Sequence, residues 1–424
     1  LRHSWAAALA LLGLIAMAPA AHAQVLTPAQ ADSVQGRAHT DFEPIGLELG
    51  NFLLHSELDD EPEYNDNIFR DNTKTSDAID RLKPSLSLEG EIGDDTTVTL
   101  GAQADIGRYY HYHTENYEDY KFGATARQDV TDETNVGLAL SREHLHVERG
   151  AFNDPGRAFG PLQYNVTTAT LTPHYSTSPF LGSLKIEGKY YEFLKNGPVD
   201  ESDQNEWRAL VASRQGYQLD SGWTAFVEPS WQLDNYINRV DRSGINHDSQ
   251  TVQGLLGVSY DATADLSLEF GLGYFEQLFF AANQQDVSGL AFNGAFVWNI
   301  SEPWTLSGSL TRSSQATPTT ATTQAAFVGV TSQVSSNGKL RLDYEAADNI
   351  VTYIQGAITD DQFSGTGPGA NFTEDTADFE LGVNYFFNEY VSLGFRYVFE
   401  VRESEVSTRR MDQNRLIFRL TAHM

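Results

Sequence analysis

The sequence has no cysteine among its 424 residues, so neither a disulfide framework nor thiolate chemistry is available to it. Basic residues are scarce: 28 Lys and Arg stand against 58 Asp and Glu, a formal net charge of −30. That balance leaves no basic footprint for nucleic acid, and no nucleic-acid partner is expected. Beyond residue 23 no apolar run is long enough for a transmembrane helix. Glycine-rich phosphate loops and dinucleotide fingerprints are also missing, and no cofactor is expected. The run "REHLHVERG" at 142–150 is two residues short of the zinc-protease pattern, and no nucleophile stands near a base at informative spacing. No enzymatic activity is expected.

The first residues do carry a signal. "LRHSWAAALALLGLIAMAPAAHAQ" has a basic start at Arg2, an apolar run from Trp5 to Met17, and the small-residue site "AHA". These are the parts of a secretory signal peptide, expected to span 1–23 with cleavage after Ala23. The polar stretch 24–46 reads as a flexible periplasmic lead-in, with a periplasmic export protein as a candidate docking partner. No composition break follows, so 47–424 reads as one domain.

Within that domain the dominant pattern is period two. In "YVSLGFRYVFEVR" (390–402), Val391, Leu393, Phe395, Tyr397, Phe399 and Val401 share one face. Ser392, Gly394, Arg396, Glu400 and Arg402 share the other, which describes a strand with one apolar and one polar face. "NRLIFRLTAHM", "TVTLGAQADIG", "SLKIEGKYYEF" and "WTAFVEPSWQLD" repeat the pattern. Tight turns such as "GDDT" (93–96) and "TDET" (131–134) alternate with long polar connections at 65–77, 150–162, 196–204, 239–248, 315–334, 361–373 and 403–411. Short turns at one end and long loops at the other are expected of a transmembrane antiparallel up-and-down β-barrel. The count comes to eighteen strands with both termini periplasmic. Strands of ten to fifteen residues exceed the common five or six. Aromatics at strand ends (Trp223, Trp298, Trp304, Tyr110, Tyr112) suit interfacial girdles. The expected location is the bacterial outer membrane, in contact with lipid and lipopolysaccharide, reached through the barrel assembly machinery.

At 63–88, "EYNDNIFR" followed by "DAIDRLKPSLSLEGEI" resembles the opening hairpin of the putative beta-barrel porin 2 family, on Tyr64, Asp66, Asn67, Ile68, Arg81, Leu82, Pro84 and Leu86. The resemblance implies a Gram-negative outer-membrane channel, sometimes the exit for an exopolysaccharide, and carries no catalytic residue. The terminal Met424 stands where such barrels usually have Phe. The oxygen-rich "NDNIFRDN" lacks the spacing and glycine of an EF-hand, so its Asp and Asn read as loop formers.

If the apolar face meets lipid, the other face lines the pore. The register then points inward Arg81, Lys83, Glu89, Asp105, Tyr109, Lys121, Arg127, Lys185, Glu187, Lys189, Tyr191, Glu228, Arg341, Asp343, Arg396, Glu400, Arg415 and Arg419. Extended to all strands recognised this way, inward acids and bases balance, which predicts a near-neutral wall of cross-strand pairs. The inward aromatics Tyr109, Tyr191, Phe226 and Phe275 either stack on sugar rings or serve as ordinary wall residues. His111 and His113, two apart, could hold a metal or simply decorate a strand end. The long, nearly uncharged Gln315–Gln333 is the expected plug. The expected function is a passive channel, for exopolysaccharide export or for general or nutrient uptake. A plugged structural or adhesive barrel is the alternative from another class.

Overall fold

The computed structural model describes residues 27–424 except 38, 40–41, 196–199, 220–221, 242–243, 262, 318–328 and 367–368. The expected signal peptide therefore lies outside the described residues. After a stub, β1 (Leu47–Leu49), the chain runs through β2 (Phe52–Asn65), β3 (Asp77–Glu91), β4 (Thr96–Tyr109), β5 (Tyr117–Thr131) and β6 (Thr134–His146). Next come β7 (Gln163–Thr177), β8 (Phe180–Phe193), β9 (Glu206–Gln218), β10 (Trp223–Tyr236), β11 (Ser249–Tyr260) and β12 (Leu266–Phe279). The last seven are β13 (Val287–Ser301), β14 (Trp304–Ala316), β15 (Val330–Ala347), β16 (Ile350–Gly365), β17 (Phe372–Asn388), β18 (Val391–Ser404) and β19 (Met411–His423). Each strand pairs antiparallel with the next, and β19 returns to pair with β2. The eighteen strands β2–β19 thus close a barrel with no free edge, which lets every ladder group bond within the sheet.

The period-two pattern survives in three dimensions. Leu86, Leu100, Phe122, Leu140, Leu256, Leu340, Ile358 and Phe418 are exposed on the outer face. Aromatic pairs ring the tight-turn end, with Phe180 against Tyr217, Trp223 against Tyr260, and Trp304 stacked 4.2 Å from Tyr344. Asp60 and Asp80 are exceptions, since the register puts both carboxylates on the outer face.

Four prolines sit in these strands although a proline removes a ladder donor. Pro62, Pro84, Pro173 and Pro229 each fall at a gap in the pairing on one side, while the ladder on the other side is continuous. Each therefore costs one link rather than two.

The N-terminal stretch departs from the flexible lead-in expected of it. A short helix, α1 (Pro28–Ala31), starts on a reciprocal capping box: Gln30 N–H donates to Thr27 Oγ1 and Thr27 N–H to Gln30 Oε1. Val34, 1% exposed, donates its N–H to Thr305 Oγ1 at 2.9 Å. Gln35 Nε2 reaches both Asp343 oxygens at 2.9 and 3.0 Å. Arg37 pairs with Glu345 at 3.2 Å, and His39 stacks on Phe386. The segment is docked inside the periplasmic mouth because inward polar groups on β13, β14 and β15 and the Phe386 ring on β17 meet its backbone and side chains.

Candidate functional site: the lumen and its two closures

The extracellular connection between β6 and β7 does not stay above its own strands. Val147 N–H donates to Leu162 O at 2.7 Å, closing the base of loop 147–162. From there Phe152 packs with Val330, Phe363, Ala370 and Phe372, stacking 5.3 Å from Phe363. Those partners belong to β15–β17 and the connection between β16 and β17, half-way round an eighteen-stranded barrel. The loop therefore crosses the mouth.

Polar bonds tether it on the way. Arg149, 6% exposed, gives Nε to Glu115 Oε2 at 2.6 Å, Nη2 to Glu115 Oε1 at 2.9 Å, and Nη1 to Asp154 Oδ1 at 2.7 Å. Bidentate pairing of this kind satisfies both carboxylate oxygens and fixes orientation. Arg402 Nη1 donates to Gly150 O at 2.9 Å and Nη2 to Arg70 O at 2.9 Å. Gly150 has φ +74°, and a Cβ there would lie 3.0 Å from both Arg402 and Arg70, so glycine is required on two counts. Arg157 pairs with Asp71 and lies over the Phe69 ring.

The "NDNIFRDN" stretch belongs to this network. Ile68 and Phe69 are buried against Ile79. Asn67 Nδ2 donates to Asp71 O (2.8 Å) and Asp412 O (3.0 Å), and Gln413 Nε2 donates to Asn67 O (2.8 Å). Burial alone would raise Asp66, but the Asn414 backbone and side-chain amides and Lys74 hold its carboxyl below the usual range. Glu148 behaves likewise: burial opposes its charge, yet His146, Arg70, Arg81 and Arg415 keep it depressed.

Of the expected plug, Gln315–Gln333, only the ends are described. Its ends lean inward: Tyr236 donates to Thr317 O at 3.3 Å, and Ser314 and Ser332 both donate to Gln277 Oε1. Its centre, 318–328, lies outside the described residues. Loop 147–162, whose sequence does not mark it as a plug, crosses the mouth on one aromatic and a set of arginine bonds.

Every residue assigned inward from the sequence sits on the inner register. Lys83, Arg396 and Arg419 converge on Glu61, 3% exposed, at 2.6, 3.6 and 3.7 Å. Arg81 faces Glu63, and Lys83 also approaches Asp105. Lys121 pairs with Glu143, Arg127 with Asp129, and Lys185 and Lys189 both with Glu187. Arg214 bridges Glu228 and Glu269, Arg341 pairs with Asp343, and Glu400 takes Arg70. Tyr191 lies under Arg208, Glu89 faces the His55 side of the wall, and Tyr109 and Arg415 border the cleft beneath loop 147–162.

The near-neutral wall is corrected by what the sequence reading left out. Glu57, Asp59, Glu61 and Glu63 on β2 all point inward, as do Asp77, Asp119, Glu206, Glu374 and Asp378. The inner face is therefore acidic. His111 Nδ1 is 2.9 Å from Asp77 Oδ1, and among the described residues no three His, Asp or Glu side chains are grouped to hold a metal.

The charge is unevenly spread. On β11–β14 the inward positions are Ser, Thr, Gln, Asn, Gly, Ala and a few larger apolar residues, and Glu269 is the one ionisable side chain among them. A cavity of about 540 Å³ occupies the periplasmic half, lined by Ser85, Ser87, Thr99, Gln103, Thr125 and Ser141 among others. His39 and Phe42 of the docked segment also border it.

A closed, lipid-faced antiparallel barrel with a polar lumen is an outer-membrane channel protein. The chain matches the family "Putative beta-barrel porin 2" over residues 40–424, and it belongs to that family. Its place is the outer membrane. No curated protein matches it in sequence. Similar solved structures include Pseudomonas aeruginosa OpdK with vanillate, at 12% identity and TM-score 0.48, covering 88% of this chain and 99% of that one. Pseudomonas aeruginosa OpdL (14%, TM-score 0.46, 89% and 99%) and Acinetobacter baumannii OccAB3 (12%, TM-score 0.47, 89% and 100%) are comparable.

Proposed function

We propose that this porin is a passive, non-enzymatic channel for uncharged hydrophilic solutes, with loop 147–162 as its limiting constriction. The observation that carries the reading is the lumen surface of β11–β14, where four successive strands offer hydroxyls, amides and small groups with one carboxylate. Such a wall competes for a solute's hydroxyls without demanding a counter-charge. The paired charges on β2, β3, β18 and β19 hold one another and orient the loops. The inward residues from Arg81 to Arg419 are then pore-lining.

Exopolysaccharide exit is a second reading, favoured by the same neutral wall, since a glycan chain presents mainly hydroxyls. It requires loop 147–162 to move aside for a polymer, and a periplasmic export protein would then meet the mouth where residues 27–37 dock. Purified protein in planar bilayers tests the channel: discrete conductance reduced by neutral oligosaccharide supports it. No conductance in any salt would overturn it and leave a plugged structural or adhesive barrel.

A further inference from the structure

A second cavity of about 310 Å³ lies between loop 147–162 and strands β7–β10. Its walls are aromatic on several sides. Tyr164 and Phe193 stack at 5.2 Å, and Tyr191 and Tyr236 complete the lining. Arg208 sits 5.4 Å from the Tyr191 ring centroid. The polar groups are Asn153 and Gln204, joined at 3.0 Å, with Glu148, His146, Glu206 and Arg208.

Glu206 is the informative one. It is 6% exposed, and its Oε1 accepts from Arg208 Nη2 at 3.0 Å. Its Oε2 is buried, and among the described residues the donor beside it is the Tyr236 hydroxyl, whose single proton is contested by Thr317 O at 3.3 Å. A buried carboxylate oxygen short of donors is costly unless something brings one. Arg208 is already shared between Glu206 and Asp234, and His146 is paired with Asp119, so among the described residues the cavity has no spare cation to offer an anionic ligand.

A ligand for this space needs an apolar face for the rings, hydroxyl donors for Glu206 and Glu148, and no negative charge. A pyranose ring has all three: its C–H face packs on aromatic side chains while its hydroxyls donate to carboxylates. The volume suits a single ring rather than a chain segment. We propose that this cavity binds one neutral sugar residue, with Tyr191 and Tyr164 as platforms and Glu206 Oε2 as the principal acceptor. The proposal rests on the channel reading only in that a solute reaches the site through the mouth.

The test is equilibrium dialysis and saturation-transfer NMR on the refolded, detergent-solubilised chain. The probes are neutral hexose di- and trisaccharides, glucosamine and glucuronate. A neutral sugar should bind and glucuronate should not. Tyr191→Leu and Glu206→Gln should each weaken binding about tenfold or more, whereas Tyr191→Phe, which keeps the ring, should retain it. Retained heat-modifiable gel migration shows that each variant is folded. Binding of no neutral sugar, preference for glucosamine or glucuronate, or equal binding by Tyr191→Leu and Glu206→Gln would overturn the proposal. Conductance is read separately, so a barrel that binds sugar but never conducts sinks the channel reading alone, and a conducting barrel that binds no sugar sinks this one alone.

Discussion

At the extracellular end, loop 147–162 is anchored near its own strands by the buried Arg149–Glu115 and Arg149–Asp154 pairs and reaches the far wall through Phe152 among Val330, Phe363 and Phe372. At the periplasmic end, residues 27–37 and His39 lie along the wall on neutral-donor hydrogen bonds to Thr305 and Asp343, a part-exposed Arg37–Glu345 pair and one ring stack. Both shapes narrow the lumen, but their physics differs. A buried charge deprived of its partner is strongly destabilising, whereas part-exposed pairs contribute about 1 kcal/mol or less. The outer closure should therefore be a firm constraint and the inner one a readily displaced cover.

Breaking the firm side should have the largest effect. Arg149→Ala strands the Glu115 carboxylate in a buried site and should cost loop closure about 3–5 kcal/mol. The expected readout is a rise in single-channel conductance and protease cleavage within 147–162. Phe152→Ala empties an apolar cluster and should cost about 3 kcal/mol, with the same readouts at a lower level. Gly150→Ala combines a left-handed backbone with contacts at 3.0 Å to Arg402 and Arg70, and about 1–3 kcal/mol is expected. On the soft side, Gln35→Ala should cost the docked segment about 1 kcal/mol. It should raise conductance slightly and leave loop proteolysis unchanged. An equal effect from Gln35→Ala and Arg149→Ala would erase the distinction between the ends.

Acid sharpens the comparison further. The folded Glu148 carboxyl, in the loop itself, is held depressed against burial by His146, Arg70, Arg81 and Arg415, so its contribution to loop closure is full above the ordinary carboxylate range and is lost as pH falls through the lowered value. Conductance should hold steady from pH 7 to about 5 and rise only below about pH 4. A rise already at pH 6 would contradict the assignment.

Much of this molecule was legible because a barrel repeats one rule. Alternation in β18 and β19 gave the strand faces, and every inward assignment from Arg81 to Arg419 follows from it. Some strands hid themselves. "FLLHSELDDEPEYN" carries five acids and a proline, which obscure its alternation, and its four inward acids were left out of the wall. The turn at 178–179 and the loop at 280–286 were too short to announce themselves. The loop across the mouth was harder still. Arg149, Gly150 and Phe152 act through partners on β4–β5, β15–β18 and the first hairpin, and no local spacing encodes such contacts. The lone aromatic in "RGAFNDPGR" was the one available hint. The docked N-terminus was equally silent, since Gln35 and Arg37 look like ordinary linker residues until Asp343 and Glu345 appear beside them.

Single-channel conductance of the wild-type barrel beside a variant in which residues 151–159 are replaced by a short Gly-Ser linker measures the constriction itself. A small or rarely open wild-type channel and a large, steadily open variant are predicted. Equal conductance in the two would show that loop 147–162 does not limit the pore.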